Sequence, residues 1–332
     1  MFEFSVISGS VVSDLLRDHE KEVVALVERA YLTHDSGASV NPDSYFLRFP
    51  EKPDSRIIAL PAYLGGDVDL AGLKWIASFP GNVRSGRPRA SAVLILNDYA
   101  TGYPIALLEA AGISAARTAA SAALAATALG GSAPRTVGVV GAGVIARTIC
   151  AYLSGVGVPM TDVRCHDLDA ASATALTGHL RERGAGEVRA VDLAGALECD
   201  LVVLATTAGT PYITEEHAFR PGQLVLNVSL RDLAPQLLLR ANNVLDDVEH
   251  CMKANTSPHL AEQLTGNRDF VTGTLAGVLT GRDRLDPDLP TIFSPFGLGV
   301  LDLAVGHYVH QQAKAQGRVV EIPDFFGETA RW

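Results

Sequence analysis

The stretch from Thr136 to Ala146 constrains the fold more than any other part of the chain. A short apolar run, Thr136 to Val140, ends in Gly141-Ala142-Gly143-Val144-Ile145-Ala146, and a helical pattern follows at once. A strand that delivers a glycine turn directly to a helix N-terminus is the geometry of a dinucleotide-phosphate site. Gly141 permits the tight turn, Gly143 lets backbone approach a pyrophosphate, and Ala146 lets helix and strand pack closely. The first-turn N–H groups, those of Val144 and Ile145 among them, have no partner within the helix and suit a phosphate, and Ala142 in the turn is a further cofactor contact. A second strand over 162–166 leads to Asp167, 24 residues after Gly143, where a carboxylate meets the adenosine ribose hydroxyls. The alternative is a tight turn in an α/β protein without a cofactor. Triplet, strand, helix and acid together favour dinucleotide binding, and an acid at 167 repels the extra phosphate of NADP. NAD is therefore the expected cofactor.

Around this motif strands and helices alternate. Helices are expected over 114–129, 144–154 and 170–183, and strands over 136–140, 162–166, 187–191, 201–205, 224–229 and 244–246. That rhythm predicts an α/β chain with a doubly wound parallel sheet. Before about residue 110 the pattern differs: one helix over 11–33, then strands over 44–49, 56–63, 71–79 and 92–97, the mark of an α+β domain. A long amphipathic helix is expected over 298–316, followed by a short Pro/Phe-rich segment. At 332 residues with 48% hydrophobic and 19% charged side chains, two domains with a large core fit. A net charge of −10 argues against a nucleic-acid or anionic-membrane surface. The longest apolar stretch, 119–129, falls short of the roughly 20 residues a spanning helix needs. The first twenty residues lack the basic flank and apolar block of a signal peptide, so a cytoplasmic location is expected. Cys150, Cys165, Cys199 and Cys251 lie far apart, without a CxxC pair or clustered histidines. Reduced thiols are expected, with no metal.

Outside the dinucleotide region, cations interrupt apolar segments. Lys74 sits in Leu73-Lys74-Trp75-Ile76, Arg48 in Phe46-Leu47-Arg48-Phe49, and Arg117 in a run of alanines. Buried cations are rare unless they meet an anion. Each alone reads as snorkelling to water or as half of an internal ion pair. The three together point to a substrate bearing carboxylates. Asp232 follows the strand over 224–229, and ligands of open α/β sheets sit at the carboxyl ends of strands. A helix cap for the segment at Pro235 is the competing role. His250, His259 and His307 have no triad or metal spacing; His250 is a weak reserve candidate.

Further motifs lie along nearly the whole chain: Gly72-Leu73-Lys74, Phe79-Pro80-Gly81-Asn82, Thr101-Gly102, Ala116-Arg117-Thr118-Ala119, and Thr291-Ile292-Phe293-Ser294-Pro295-Phe296-Gly297 with Asp302. With Gly141 to Ala146 between them, the sequence resembles the ornithine cyclodeaminase/mu-crystallin family. Asn41 to Pro50, Arg89 to Asp98, Ser229 to Leu233, Asp246 to His250, Thr256 to Leu260 and Gly266 to Phe270 are similar to one branch of it. That branch oxidatively cleaves N-(2-amino-2-carboxyethyl)-L-glutamate, yielding L-2,3-diaminopropionate for siderophores or peptide antibiotics. The resemblance implies a Rossmann NAD-binding domain, 117–299, inserted into a substrate-binding and dimerisation domain, 1–116 with 300–332. It implies a homodimer whose ligands are NAD and an amino-acid conjugate. It implies that Arg48, Lys74, Arg89 and Arg117 bind substrate, and that Asp232 is the acid/base residue, with Lys74 the other candidate base. Cofactor contacts are implied from Arg117, Thr118, Thr206 and Ser229. Ornithine cyclodeaminases carry the acid in Gly-Gly-Asp-Cys-Pro; here its flanks are Leu230-Arg231 and Leu233-Ala234, a departure that weighs against ornithine. Other readings within the family are a ketimine reductase, an alanine dehydrogenase, or a mu-crystallin-like binding protein without turnover.

Overall fold

In the computed structural model, residues 3–131, 133–214 and 219–327 are described. The chain divides into two compact units, one of residues 1–117 with 298–332 and one of 118–297; of the expected terminal segments, 1–2 and 328–332 lie outside the described residues.

The second unit is built on an all-parallel sheet. Its strands run in the spatial order Glu187–Ala190, Asp162–His166, Val137–Val140, Leu201–Leu204, Leu224–Asn227, Thr291–Ser294, Asn242–Leu245 and Val271–Thr274. The chain starts at Val137–Val140, builds outward on one side, then crosses back to Leu201–Leu204 on the other. Such a reversal opens a crevice at the carboxyl ends of those two strands. The central strands are buried on both faces and read as continuous apolar runs without alternation. The helix expected over 144–154 spans Val144–Gly155, and the strand expected over 162–166 is Asp162–His166. Val271–Thr274 and Thr291–Ser294 have four residues each and no alternation, so local pattern did not mark them as strands.

The first unit carries a mixed sheet in the order Val320–Glu321, Ser5–Ile7, Pro104–Glu109, Ala90–Asp98, Leu70–Ser78, Lys52–Leu64 and Ser39–Val40, with Tyr45–Phe49 also paired to Lys52–Leu64. One face is covered by the helix Gly299–Ala315, which packs on Lys52–Leu64, Leu70–Ser78 and Ala90–Asp98. Leu60, Leu94 and Leu96 are buried there. Gly306 allows the close approach, since a Cβ at that position would stand 2.2 Å from Leu94 Cδ2. The opposite face is apolar yet half-exposed: Tyr45, Ala59, Trp75 and Val93 form one register row, with Trp75 39% exposed. The helix expected over 11–33 is two helices, Gly9–Leu16 and Glu20–Asp35. They are broken where Asp18 takes a left-handed φ of 60° inside the polar run Arg17-Asp18-His19. Asp tolerates that conformation better than most residues.

Candidate active site

In the second unit the glycine turn has the expected shape. Gly141 has φ +94°, and a Cβ there would stand 2.5 Å from the Ala205 carbonyl oxygen, so only glycine fits. Around a Cβ at Gly143, nothing lies within 4 Å, which leaves room for a ligand to approach backbone. Gly143 is the N-cap of Val144–Gly155 and provides no side-chain cap; Val144 is 56% exposed, Ile145 half-buried and Ala146 fully buried. The N–H groups of Val144 and Ile145 are thus not capped by the Gly143 position, as a phosphate requires, whereas the Ala142 N–H, expected with them, donates to Asp167. Asp167 sits at the end of the second strand. Its Oδ2 accepts from the Ala142 N–H at 2.7 Å and its Oδ1 from the Asp169 N–H at 2.9 Å, which ties the acid to the glycine turn. Arg164 reaches Asp162 and the Gly195 carbonyl instead of Asp167. These residues fit a dinucleotide.

On the same unit Asp232 is fully buried and is not a helix cap: the helix Pro235–Leu238 is preceded by Ala234 and has no side-chain cap. Thr206 Oγ1 donates to the carboxylate, 2.7 Å from Oδ1 and 2.9 Å from Oδ2, and Tyr212 donates from its hydroxyl to Oδ2 at 3.0 Å. Ser229 Oγ accepts from the Thr206 N–H at 2.7 Å, which fixes that residue just beyond Leu201–Leu204. Burial pushes the Asp232 carboxyl above the ordinary aspartate range, while the hydroxyls of Thr206, Ser229 and Tyr212 pull it back. Thr206 and Ser229, expected as cofactor contacts, therefore serve the acid first. Tyr212 was not singled out from sequence; a tyrosine in a loop has no periodicity that would mark it.

In the first unit Lys74 is 1% exposed and faces Asp302, Nζ to Oδ2 at 2.6 Å, with Ser114 Oγ at 3.2 Å. Arg117 donates from Nε to Asp302 Oδ1 at 3.1 Å. The internal ion pair, held open from the sequence, is what Lys74 and Arg117 make. Asp302 lies on Gly299–Ala315, Lys74 on Leu70–Ser78 and Arg117 on Ala111–Leu129. From sequence, Asp302 stood out only as part of a family motif. Two cations on one carboxylate leave a single net positive charge, so this cluster suits one further carboxylate. Desolvation, and then Arg117, lower the Lys74 ammonium to about 8, and Asp302 opposes them. Thr118, next on the same helix, is half-buried.

Arg48 is not buried among apolar neighbours; it is exposed, with its guanidinium 5.2 Å from the centre of the Phe46 ring. Its register is informative. Arg48 pairs with Arg56, and Arg56 with Ser78. Ser78 Oγ accepts from Arg89 Nη1 at 2.7 Å. Cross-strand partners share a face, and Ser78 is four residues from Lys74 on the same strand. Arg48, Arg56 and the Ser78–Arg89 contact thus form a cationic row on the sheet face that also carries Lys74. Arg56 was missed because it looked like an ordinary strand-end charge. His250 is held by Asp247, Nδ1 to Oδ1 at 2.9 Å, and plays a structural part.

Residues 10–317 match the model of the ornithine cyclodeaminase/mu-crystallin family. The chain is 27% identical over 313 residues to N-((2S)-2-amino-2-carboxyethyl)-L-glutamate dehydrogenase of Staphylococcus aureus, covering 90% of this chain and 92% of that protein. It is 30% identical over 310 residues to the alanine dehydrogenase of Archaeoglobus fulgidus, covering 88% and 90%. The solved structure of an archaeal alanine dehydrogenase dimer with bound NAD superposes with a TM-score of 0.87 at 26% identity, covering 97% of this chain and all of that one.

Proposed function

The chain belongs to the ornithine cyclodeaminase/mu-crystallin family, and on that footing we propose that it is an NAD-dependent oxidoreductase acting on a CH–NH bond, with N-(2-amino-2-carboxyethyl)-L-glutamate as substrate. The observation that carries the substrate is the cationic row of Arg48, Arg56 and Arg89 on the face that holds Lys74, since this substrate has three carboxylates. The Lys74–Arg117–Asp302 cluster, with one net positive charge, takes one carboxylate, and the row takes the others through charge-assisted hydrogen bonds. The likeness to the Staphylococcus aureus dehydrogenase supports the same reading. The turn at Gly141 to Ile145 and Asp167 hold NAD, which accepts the hydride when bound. The acid at 167 favours NAD over NADP.

The secondary amine is protonated at neutral pH and has no lone pair to assist hydride departure. A carboxylate attracts an ammonium and a cation repels it, so Asp232 is the better base for that proton than Lys74. Hydride loss from the glutamate α-carbon leaves a C=N bond. Asp232 passes the amine proton to solvent and, ionised again, takes one from the water that adds to the carbon, then returns it to the nitrogen as the new hydroxyl loses its own. The C–N bond then breaks, and the amine leaves protonated as diaminopropionate, with 2-oxoglutarate as the other product. Held carboxylates keep the C–H aligned, a contribution from positioning.

With substrate, NAD and water, the purified protein is expected to form NADH, 2-oxoglutarate and L-2,3-diaminopropionate in equal amounts, without ammonia, and with lower kcat/KM when NADP replaces NAD. Proline and ammonia from ornithine, with no response to the conjugate, would overturn this reading. A second reading, alanine dehydrogenase, is favoured by the 30% identity to the Archaeoglobus fulgidus enzyme and by a buried cluster suited to one carboxylate. Alanine as the better hydride donor in the same assay would select it.

A further inference from the structure

Asp232 is fully buried, and among the described residues the side chains that act on its carboxylate are the hydroxyls of Thr206, Ser229 and Tyr212. Thr206 Oγ1 reaches both oxygens, and Tyr212 reaches Oδ2 alone. Backbone braces the same clamp. The Tyr212 and Ile213 N–H groups both donate to the Asp232 carbonyl, at 3.1 and 3.0 Å, so the segment carrying Tyr212 is laced to the residue its hydroxyl serves. The Ala208 N–H donates to Thr206 Oγ1 at 3.2 Å, which turns the Thr206 hydroxyl proton toward the carboxylate. A desolvated carboxylate tends to take up a proton and then has no basic lone pair. Hydroxyls that donate to it act in the opposite direction, and they leave the acid able to accept a proton from a cationic amine.

We propose that Tyr212 is a positioning residue for the reaction, which with Thr206 keeps buried Asp232 ionised and fixes its orientation as the base. The inference rests on the reading of Asp232 as the base and adds residues that never touch the reacting bond. Among the described residues the groups facing the carboxylate are the side chains of Thr206, Ser229 and Tyr212, and the Asp167 carboxylate acts on the Tyr212 hydroxyl. Loss of a donor raises its proton affinity, so the acidic limb of the pH–rate profile moves to higher pH.

The test uses Tyr212→Phe, which keeps the ring, together with Thr206→Val and Thr206→Ser. In Tyr212→Phe and Thr206→Val the acidic limb of kcat/KM is expected to rise by about one pH unit. Rates converge on wild type at higher pH, Thr206→Ser restores the wild-type profile, and the NAD affinity of Tyr212→Phe by calorimetry is unchanged. A purely structural tyrosine lowers activity by the same factor at every pH, and that result would overturn the proposal. A second readout needs no substrate: the Asp232 side-chain carboxyl carbon, followed by NMR in the free protein, titrates at higher pH in Tyr212→Phe. An unmoved titration sinks the proposal even if Asp232 is the base. Full activity in Asp232→Asn, by contrast, removes Asp232 from the mechanism and with it the reading on which the proposal stands.

Discussion

A lysine at 1% exposure is tolerated only because a carboxylate meets it, and Asp302 meets Arg117 as well. The arrangement has two consequences for pH. Lys74 sits near 8 in the folded chain against 10.5 for an ordinary lysine, so between those values the unfolded chain binds more protons. The contribution of Lys74 to stability therefore rises with pH from about 8 to 10.5. In its proposed role as a holder of carboxylate, Lys74 works when charged, so KM for substrate is expected to climb as pH passes about 8. Asp302→Asn removes the group that holds the charge in place while Arg117 still opposes it. The climb in KM should then begin at lower pH, with kcat little changed, as steady-state kinetics across pH will show. A kcat that falls at every pH with no movement in KM would place Asp302 in the fold alone. Lys74→Met should raise KM by about 10- to 100-fold, the loss of one charge-assisted hydrogen bond.

At the scale of elements, the two constellations owe their geometry to where strands end. Gly141 follows Val137–Val140, and Thr206 comes two residues after Leu201–Leu204; these neighbouring strands are where the sheet reverses its order. The Gly141 turn also has no room for a side chain. Gly141→Ala would place a Cβ 2.5 Å from the Ala205 carbonyl at a φ of +94°. Backbone on both sides resists the shift, so a loss of about 1–3 kcal/mol is expected. Thermal unfolding should show a lowered Tm, and calorimetry a much weaker affinity for NAD. An unaltered Tm with unaltered NAD affinity would mean that the turn relaxes freely. Asp167 adds a second constraint at the same place, since its bond to the Ala142 N–H shapes the turn from the neighbouring strand.

For the whole molecule, the unburied face of the mixed sheet predicts assembly. Tyr45, Leu47 and Trp75 are 68%, 46% and 39% exposed on a face with no covering layer among the described residues. Contiguous exposed apolar surface of this kind marks an interaction site. With the archaeal alanine dehydrogenase dimer as support, we propose that a second copy of this chain covers it. Light scattering after size exclusion should give twice the chain mass, and Trp75→Glu should shift it toward a monomer. A wild-type monomer at micromolar concentration would refute this. Among the described residues no helix is long and apolar enough to cross a membrane, and the four cysteines are buried free thiols.

Local pattern along the chain was enough for the dinucleotide turn, because strand, glycines, helix and acid are consecutive or nearly so and each has a short-range physical reason. It was also enough for the α/β class, and for four strands of the first unit, where alternation follows from having one buried face; Ser5–Ile7, Ser39–Val40, Pro104–Glu109 and Val320–Glu321 were not legible that way. The charge balance of the site was not legible that way. Lys74, Arg117 and Asp302 are separated by up to 228 positions, and only packing brings one carboxylate between two cations. Arg48 looked buried from its neighbours because a strand's periodicity does not say which face is covered. The register then gave it a different place, in a row with Arg56 and Arg89. Tyr212 and Thr206 became partners of Asp232 through loops beyond strand ends, where side-chain direction depends on the tertiary fold and not on any period of the sequence.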